Sequence, residues 1–116
     1  MELDDLATGW LSLPELSEQI DLPLQKIRQL VREGKLVTVP HGPNKAQSVP
    51  SDIVRDGHLV KGLAGALTVL RDAGFSDVEA LRWLLTEDSA LSARPVDFMA
   101  EGRDSAVKRR AQVLAF

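Results

Sequence analysis

The stretch from Ser12 to Gly34, SLPELSEQIDLPLQKIRQLVREG, constrains this chain more than any other, because it carries start and stop signals for two short helices set close together. Ser12 and Glu15 have the spacing of a capping box, in which the serine hydroxyl accepts from the Glu15 N–H while the glutamate reaches back to the Ser12 N–H. Leu13, Leu16 and Ile20 supply the apolar stripe behind that start. Asp21 is of the type that caps a following helix, Pro23 suits a first turn where a missing N–H costs little, and Gly34 suits the left-handed position just past a helix end. Two such helices around a tight break are the outline of a helix-turn-helix.

The second of these helices has two sharply different faces. Leu24, Ile27, Leu30 and Val31 fall together at helical spacing, and Gln25, Lys26, Arg28, Gln29 and Arg32 occupy the remainder, with no acid until Glu33. Arg and Lys donate to guanine O6/N7 and to phosphates, and Gln pairs with adenine N6/N7, so these side chains suit a major groove; any solvated amphipathic helix also carries them. After it, the runs Leu36 to Val39 and Ala46 to Val49 flank Pro40-His41-Gly42-Pro43-Asn44-Lys45, which predicts a small hairpin. A hairpin in that place is a wing, and Lys35 and Lys45 are the cations it offers to a phosphate backbone. The plainer alternative is a hairpin that only covers the core.

Charge is distributed along the chain in blocks. Residues 1–21 hold six acids and no Lys or Arg, whereas residues 24–47 hold five cations against one acid, within a chain of net charge −3. Long-range attraction to nucleic acid is therefore weak, and affinity would rest on the local patch, with strong salt dependence. The acidic opening MELDDLATG lacks a repeating apolar face and reads as a mobile lead-in over residues 1–9. Thr8 within it is a candidate phosphorylation site for a serine/threonine kinase, with an unmodified linker threonine as the alternative.

From residue 50 onward the pattern is helical. Pro50 to Val54 reads as one helical turn and Asp56-Gly57 as a turn; Leu63, Ala66, Leu67 and Leu70 mark a helix running to about Asp72. Ser76 and Glu79 repeat the capping box ahead of a helix with Val78, Leu81, Trp83, Leu84 and Leu85, apolar around much of its circumference. Pro95 opens a short turn, and a last helix from about Ser105 buries Val107, Ala111 and Leu114. Its Lys108-Arg109-Arg110 cluster reads as a solvated face near a helix C-terminus, with phosphate contact as the second reading. The expected organisation is mainly α: the lead-in, a winged helix-turn-helix over residues 10–55, and a C-terminal helical region over residues 56–116 packed on it.

The 116 residues, 44% of them apolar, suffice for one core without metal or disulfide, and the absence of cysteine excludes disulfides. No apolar run approaches the ~20 residues of a membrane span, and no export signal precedes the first helix, so a cytoplasmic location is expected. His41 and His58 have no HExxH spacing, and there is neither a GxGxxG nor a Walker loop nor a Gly-x-Ser-x-Gly elbow. Gly62-Leu63-Ala64-Gly65 reads as close helix packing. No catalytic residue, metal ligand or cofactor is expected, and the chain is read as no enzyme.

Leu13-Pro14, Pro23, Lys26, Gln29, Arg32-Glu33-Gly34 and Leu36-Val37 come first in a longer series of matching positions. Val60-Lys61, Leu67-Thr68, Gly74, Arg82-Trp83-Leu84, Ala93-Arg94-Pro95-Val96-Asp97 and Arg109-Arg110-Ala111-Gln112 follow in order. In these, residues 10 to 116 resemble an actinobacterial family of small winged-helix DNA-binding proteins whose mycobacterial member is a substrate of the serine/threonine kinase PknL. The N-terminal half is also similar to the broader MerR/excisionase-type helix-turn-helix. The resemblance implies a winged helix, a helical region special to the family, double-stranded DNA as partner with Lys26, Gln29 and Arg32 among its contacts, and weakening of that binding by phosphorylation. This chain departs in having Pro40-His41 where the relative has arginines, and in lacking most of the tail that carries the relative's phosphorylated threonine, so that site is not transferred to Thr8.

Two functional readings stand side by side. One is a transcriptional regulator that inserts residues 24–33 in the major groove, using Gln25, Lys26, Arg28, Gln29, Arg32, Lys35 and Lys45, with a second copy supplying a paired reading head. The other is a protein-interaction module, antitoxin-like or a kinase-substrate adaptor, that uses its C-terminal helices without touching DNA.

Overall fold

Helix α2 (Leu13–Ile20) begins where the capping box places it: Ser12 Oγ accepts from the Glu15 N–H at 3.3 Å, and the Glu15 carboxylate accepts from the Ser12 N–H at 2.8 Å. The computed structural model describes residues 2–114, and Met1, Ala115 and Phe116, at the outer ends of the lead-in and of the C-terminal region, lie outside the described residues. Before α2 come α1 (Leu3–Leu6) and β1 (Trp10–Ser12); after it come α3 (Leu24–Arg32), β2 (Val39–His41), β3 (Ala46–Pro50), a 3-10 turn (Ser51–Ile53), β4 (Val54–Arg55) and β5 (His58–Leu59). Four helices complete the chain: α4 (Leu63–Asp72), α5 (Asp77–Leu85), α6 (Pro95–Ala100) and α7 (Asp104–Val113). The fold is the expected one, mainly helical with a winged helix-turn-helix followed by a helical region.

Asp21 does not cap α3. It ends α2 in the left-handed region, with φ of 53°, and its N–H donates to the Ser17 carbonyl, while Pro23 stands at the N-cap of α3 with no side-chain cap. A corner this tight needs one residue of positive φ, and aspartate tolerates that conformation better than the apolar residues beside it. The far end of α3 is as expected. Gly34, with φ of 75°, lets its own N–H donate to Val31 O at 3.1 Å and the Lys35 N–H to Leu30 O at 2.9 Å, a Schellman closure.

The wing is part of a three-stranded antiparallel sheet of order β1-β3-β2. Trp10 faces Pro50 and Leu11 faces Val49 on one side of β3; Val39 faces Ser48 and His41 faces Ala46 on the other. The hairpin's first strand begins at Val39 rather than Leu36, because Leu36 and Val37 are buried in the core before the chain becomes a strand. Strand β1 is absent from the sequence reading: three residues directly before a helix cap show no alternation to detect. Asp56 and Gly57, with φ of 54° and 79°, form the two-residue turn of a second small hairpin, β4-β5.

The lead-in is not mobile throughout. Leu3 and Leu6, three residues apart, put α1 against the core together with Ala7, and the Thr8 N–H donates to Asp52 Oδ1 at 3.0 Å. One apolar core runs through both halves of the chain, from Leu16, Ile27 and Val49 to Leu67, Leu70, Leu84, Met99 and Val107. Helix α5 buries Ala80, Leu81, Leu84 and Leu85, leaving Val78 exposed and Trp83 half-buried. Gly62 and Gly65 do serve close packing, since a Cβ on Gly62 would lie 2.6 Å from Asp104 Cβ and one on Gly65 would lie 3.1 Å from the end of Lys108.

Ionic contacts lock the halves together. Asp52, 3% exposed, accepts from Arg94 Nη1 at 2.9 Å; Arg94 also forks onto Asp97, and Asp97 accepts from Arg55 at 2.8 Å. Deeper in the C-terminal region, Arg110 Nε lies 3.1 Å from Asp88 Oδ1, which also accepts from the Ala90 and Leu91 N–H groups. Burial alone would push the Asp88 carboxyl up, but these hydrogen bonds outweigh it and hold the group below its ordinary value; the Arg94 hydrogen bonds, followed by that of Arg55, do the same for Asp97.

Replacing Arg94→Ala strands the Asp52 carboxylate without its cation, and is expected to lower stability by about 3 kcal/mol in urea titrations. The depressed Asp88 and Asp97 carboxyls stabilise the fold above the unfolded value of 3.8 and lose that contribution as pH falls through their lower folded values. Asp88→Asn is therefore expected to show lower stability at pH 7 and a shallower loss as pH falls below the unfolded value of 3.8, followed by circular dichroism.

Candidate nucleic-acid interface

Helix α3 buries Ile27 completely and half-buries Leu24, Leu30 and Val31, which fixes its rotation about its own axis. Gln25, Lys26, Arg28 and Arg32 are consequently exposed and Gln29 is half-buried beside them. Gln25, Arg28, Gln29 and Arg32 share one stripe at i, i+3, i+4 and i+7, and Pro23, Gln25, Lys26 and Gln29 line a shallow depression at the helix's N-terminal half. None of Lys26, Arg28, Arg32 and Lys45 is engaged in an ion pair among the described residues. The five candidate side chains of α3 thus stand on one solvent-facing surface of a single rigid helix.

Lys35 is placed differently. It lies in the turn after α3, 3.6 Å from Glu33 Oε1, and the other Glu33 oxygen accepts from Gln29 Nε2 at 3.1 Å. Lys45 occupies the β2-β3 turn in a left-handed conformation, φ 53°, on a wing braced by a hydrogen bond from Thr38 Oγ1 to Gln47 Oε1 at 2.6 Å. His41 stacks on Trp10 with ring centroids 4.4 Å apart, and its Nε2 is 3.1 Å from Asp4 Oδ1. Glu2 and Asp4 line the same hollow as His41 and Lys45, so α1 brings negative charge to the base of the wing. Sequence reading had no means of finding this contact across more than thirty residues of chain.

The Lys108-Arg109-Arg110 cluster is divided by the structure. Arg110 is committed to buried Asp88, and Lys108 reaches over Gly65, which leaves Arg109 as its exposed cation not assigned to either contact. Thr8 is exposed between α1 and β1. No three His, Asp or Glu side chains converge in a metal-binding group among the described residues, and none of their helices is long and apolar enough to cross a membrane.

Arg71 was not singled out by the sequence. From the last turn of α4 its Nη2 donates to the Gly34 carbonyl at 3.1 Å and lies 3.7 Å from Asp77 Oδ1. The guanidinium thus satisfies a carbonyl at the end of α3 and joins that end to the start of α5.

A helix of this exposed composition, set three residues after a capped helix and followed by a hairpin wing in a three-stranded sheet, matches known proteins in the same order. Residues 3–54 match the family model described as DNA-binding protein Rv2175c, wHTH domain, and residues 60–115 match the one described as Rv2175c C-terminal domain of unknown function. The DNA-binding protein Rv2175c of Mycobacterium tuberculosis (strain ATCC 25618 / H37Rv) is 36% identical over 117 residues, covering 90% of this chain and 79% of that protein. The chain belongs to the Rv2175c family. The NMR structure of Rv2175c superposes with a TM-score of 0.79 at 35% identity, covering 93% of this chain and 82% of that one. Within the family match, the Ala93-Arg94-Pro95-Val96-Asp97 run acquires a physical meaning, because two of its five residues close the ionic network with Asp52 and Arg55.

Arg71→Ala is expected to cost about 1 kcal/mol or less, since the contact is half-exposed, and to speed amide exchange selectively at Glu33, Gly34 and Lys35. Unchanged protection at those three amides would show that the Schellman turn holds itself.

Proposed function

We propose that the protein is a DNA-binding transcriptional regulator that sets α3 in the major groove and rests the β2-β3 wing on the phosphate backbone. The observation that carries this reading is the surface of α3: five candidate contacts held on one exposed face by a buried Ile27, within a fold whose relative is named a DNA-binding protein. Gln25 and Gln29, beside the depression at its N-terminal half, are the side chains for base edges, since recognition helices read with their N-terminal residues. Lys26, Arg28 and Arg32 serve phosphates, assisted by Lys35 and by Lys45 from the wing. His41 in place of a permanent cation makes the wing the weaker of the two contacts, so α3 carries most of the affinity. One short reading head gains specificity by pairing, with half-sites about one DNA turn apart.

The chain's net charge of −3 opposes approach to DNA at long range, and binding therefore depends on short-range ion release. With about five phosphate contacts, raising salt from about 50 to 200 mM lowers affinity for mixed duplex DNA roughly 10² to 10³-fold. Lys26→Ala combined with Arg32→Ala is expected to flatten the salt slope by about two contacts, measured by fluorescence anisotropy. Absence of wild-type binding at the lower salt would overturn the proposal and turn attention to the shallow groove of Phe75, Glu79, Arg82 and Trp83 as a protein-binding face.

A further inference from the structure

The polar face of α3 ends in an acid that touches two of the candidate contacts at once. Glu33 Oε2 accepts from Gln29 Nε2 at 3.1 Å, and Glu33 Oε1 lies 3.6 Å from Lys35 Nζ. We propose that Glu33 is a positioning residue for base reading: it orients the Gln29 amide toward an adenine edge and discourages phosphate contacts made out of register. This rests on α3 being the groove helix.

Adenine presents an N6 donor and an N7 acceptor in the major groove, so a bidentate glutamine must offer its Oε1 and one Nε2 hydrogen together. Left alone, the terminal amide rotates broadly and offers either edge. The carboxylate removes that freedom. Gln29 can approach it only with the nitrogen, because Oε1 would meet another acceptor, and one Nε2 hydrogen remains for a base beside the outward Oε1. The hydrogen bond from Gln29, with the charges of Lys35 and Lys26, holds the Glu33 carboxyl below the usual carboxylate range, so it is ionised at neutral pH. An ionised acid beside Arg32 and Lys35 also repels phosphates that come close in the wrong register, which is how an unfavourable contact produces selectivity. The spacing itself is the simplest available: residues four apart face each other on a helix.

Two variants separate orientation from charge. Glu33→Gln keeps an acceptor for Gln29 and loses the charge, whereas Glu33→Ala loses both; Glu33 is exposed at the helix end, and thermal melts check that both variants fold. Affinity for mixed duplex DNA is measured by anisotropy at about 50 mM salt, and base preference by selection from a randomised duplex library. Both variants are expected to bind mixed DNA about two- to fivefold more tightly. Glu33→Ala is expected to lose about tenfold in adenine preference at one position, Glu33→Gln to retain most of it, and Gln29→Ala/Glu33→Ala to lose no more than Gln29→Ala alone. Wild-type preference retained by Glu33→Ala, or lost equally by both single variants, overturns the orienting role, and unchanged affinity for mixed DNA overturns the repulsive one. Failure of the wild-type chain to bind duplex DNA at all overturns instead the reading of α3 on which the proposal stands.

Discussion

Asp52 places a carboxylate with a side chain only 1% exposed at the seam between the sheet and the C-terminal helices. A charge so enclosed is tolerable only where cations and N–H groups reach it, and here they come from two distant segments, Arg94 from the approach to α6 and the Thr8 N–H from behind α1. Because Arg94 also forks onto Asp97, and Asp97 holds Arg55 of β4, satisfying one buried acid fixes the start of α6 against the winged domain. The apolar core is then continuous across that seam, and α4 is close enough for Arg71 to close the end of α3. The helix that faces solvent with Gln25, Lys26, Arg28 and Arg32 is thus held by its own buried Ile27 and, at its end, by a side chain of the C-terminal region.

What was legible in the sequence is what local chemistry specifies. The capping boxes of α2 and α5, the Gly34 terminus, the buried and exposed faces of α3 and the helical stripe of α4 all depend on residues within one or two turns of each other, and all are present in the structure. Asp21 failed as a cap because two local roles competed for it, and the need for a positive φ at the corner won. The misread parts are those defined by pairing across the chain. Strand β1 exists only because Val49 and Pro50 lie opposite Leu11 and Trp10, and α1 is ordered only by the core beneath Leu3 and Leu6. Within the candidate site, the exposure of the α3 cations followed from periodicity. The contacts of Lys35 and His41 did not, since each is set by where the side chain of an acid, Glu33 or Asp4, falls.

Short strands border the sheet that carries the wing. Strand β3 is paired on both sides, and the two strands that border the sheet, β1 and β2, are three residues each. Pro40 stands in the middle of β2 and has no N–H to donate, and β1 passes at once into the cap of α2. A border so brief and so poor in donors cannot template a further strand from another chain. The β-structure that the wing displays to solvent is thereby protected against edge-to-edge aggregation, without needing a dense coat of surface charge.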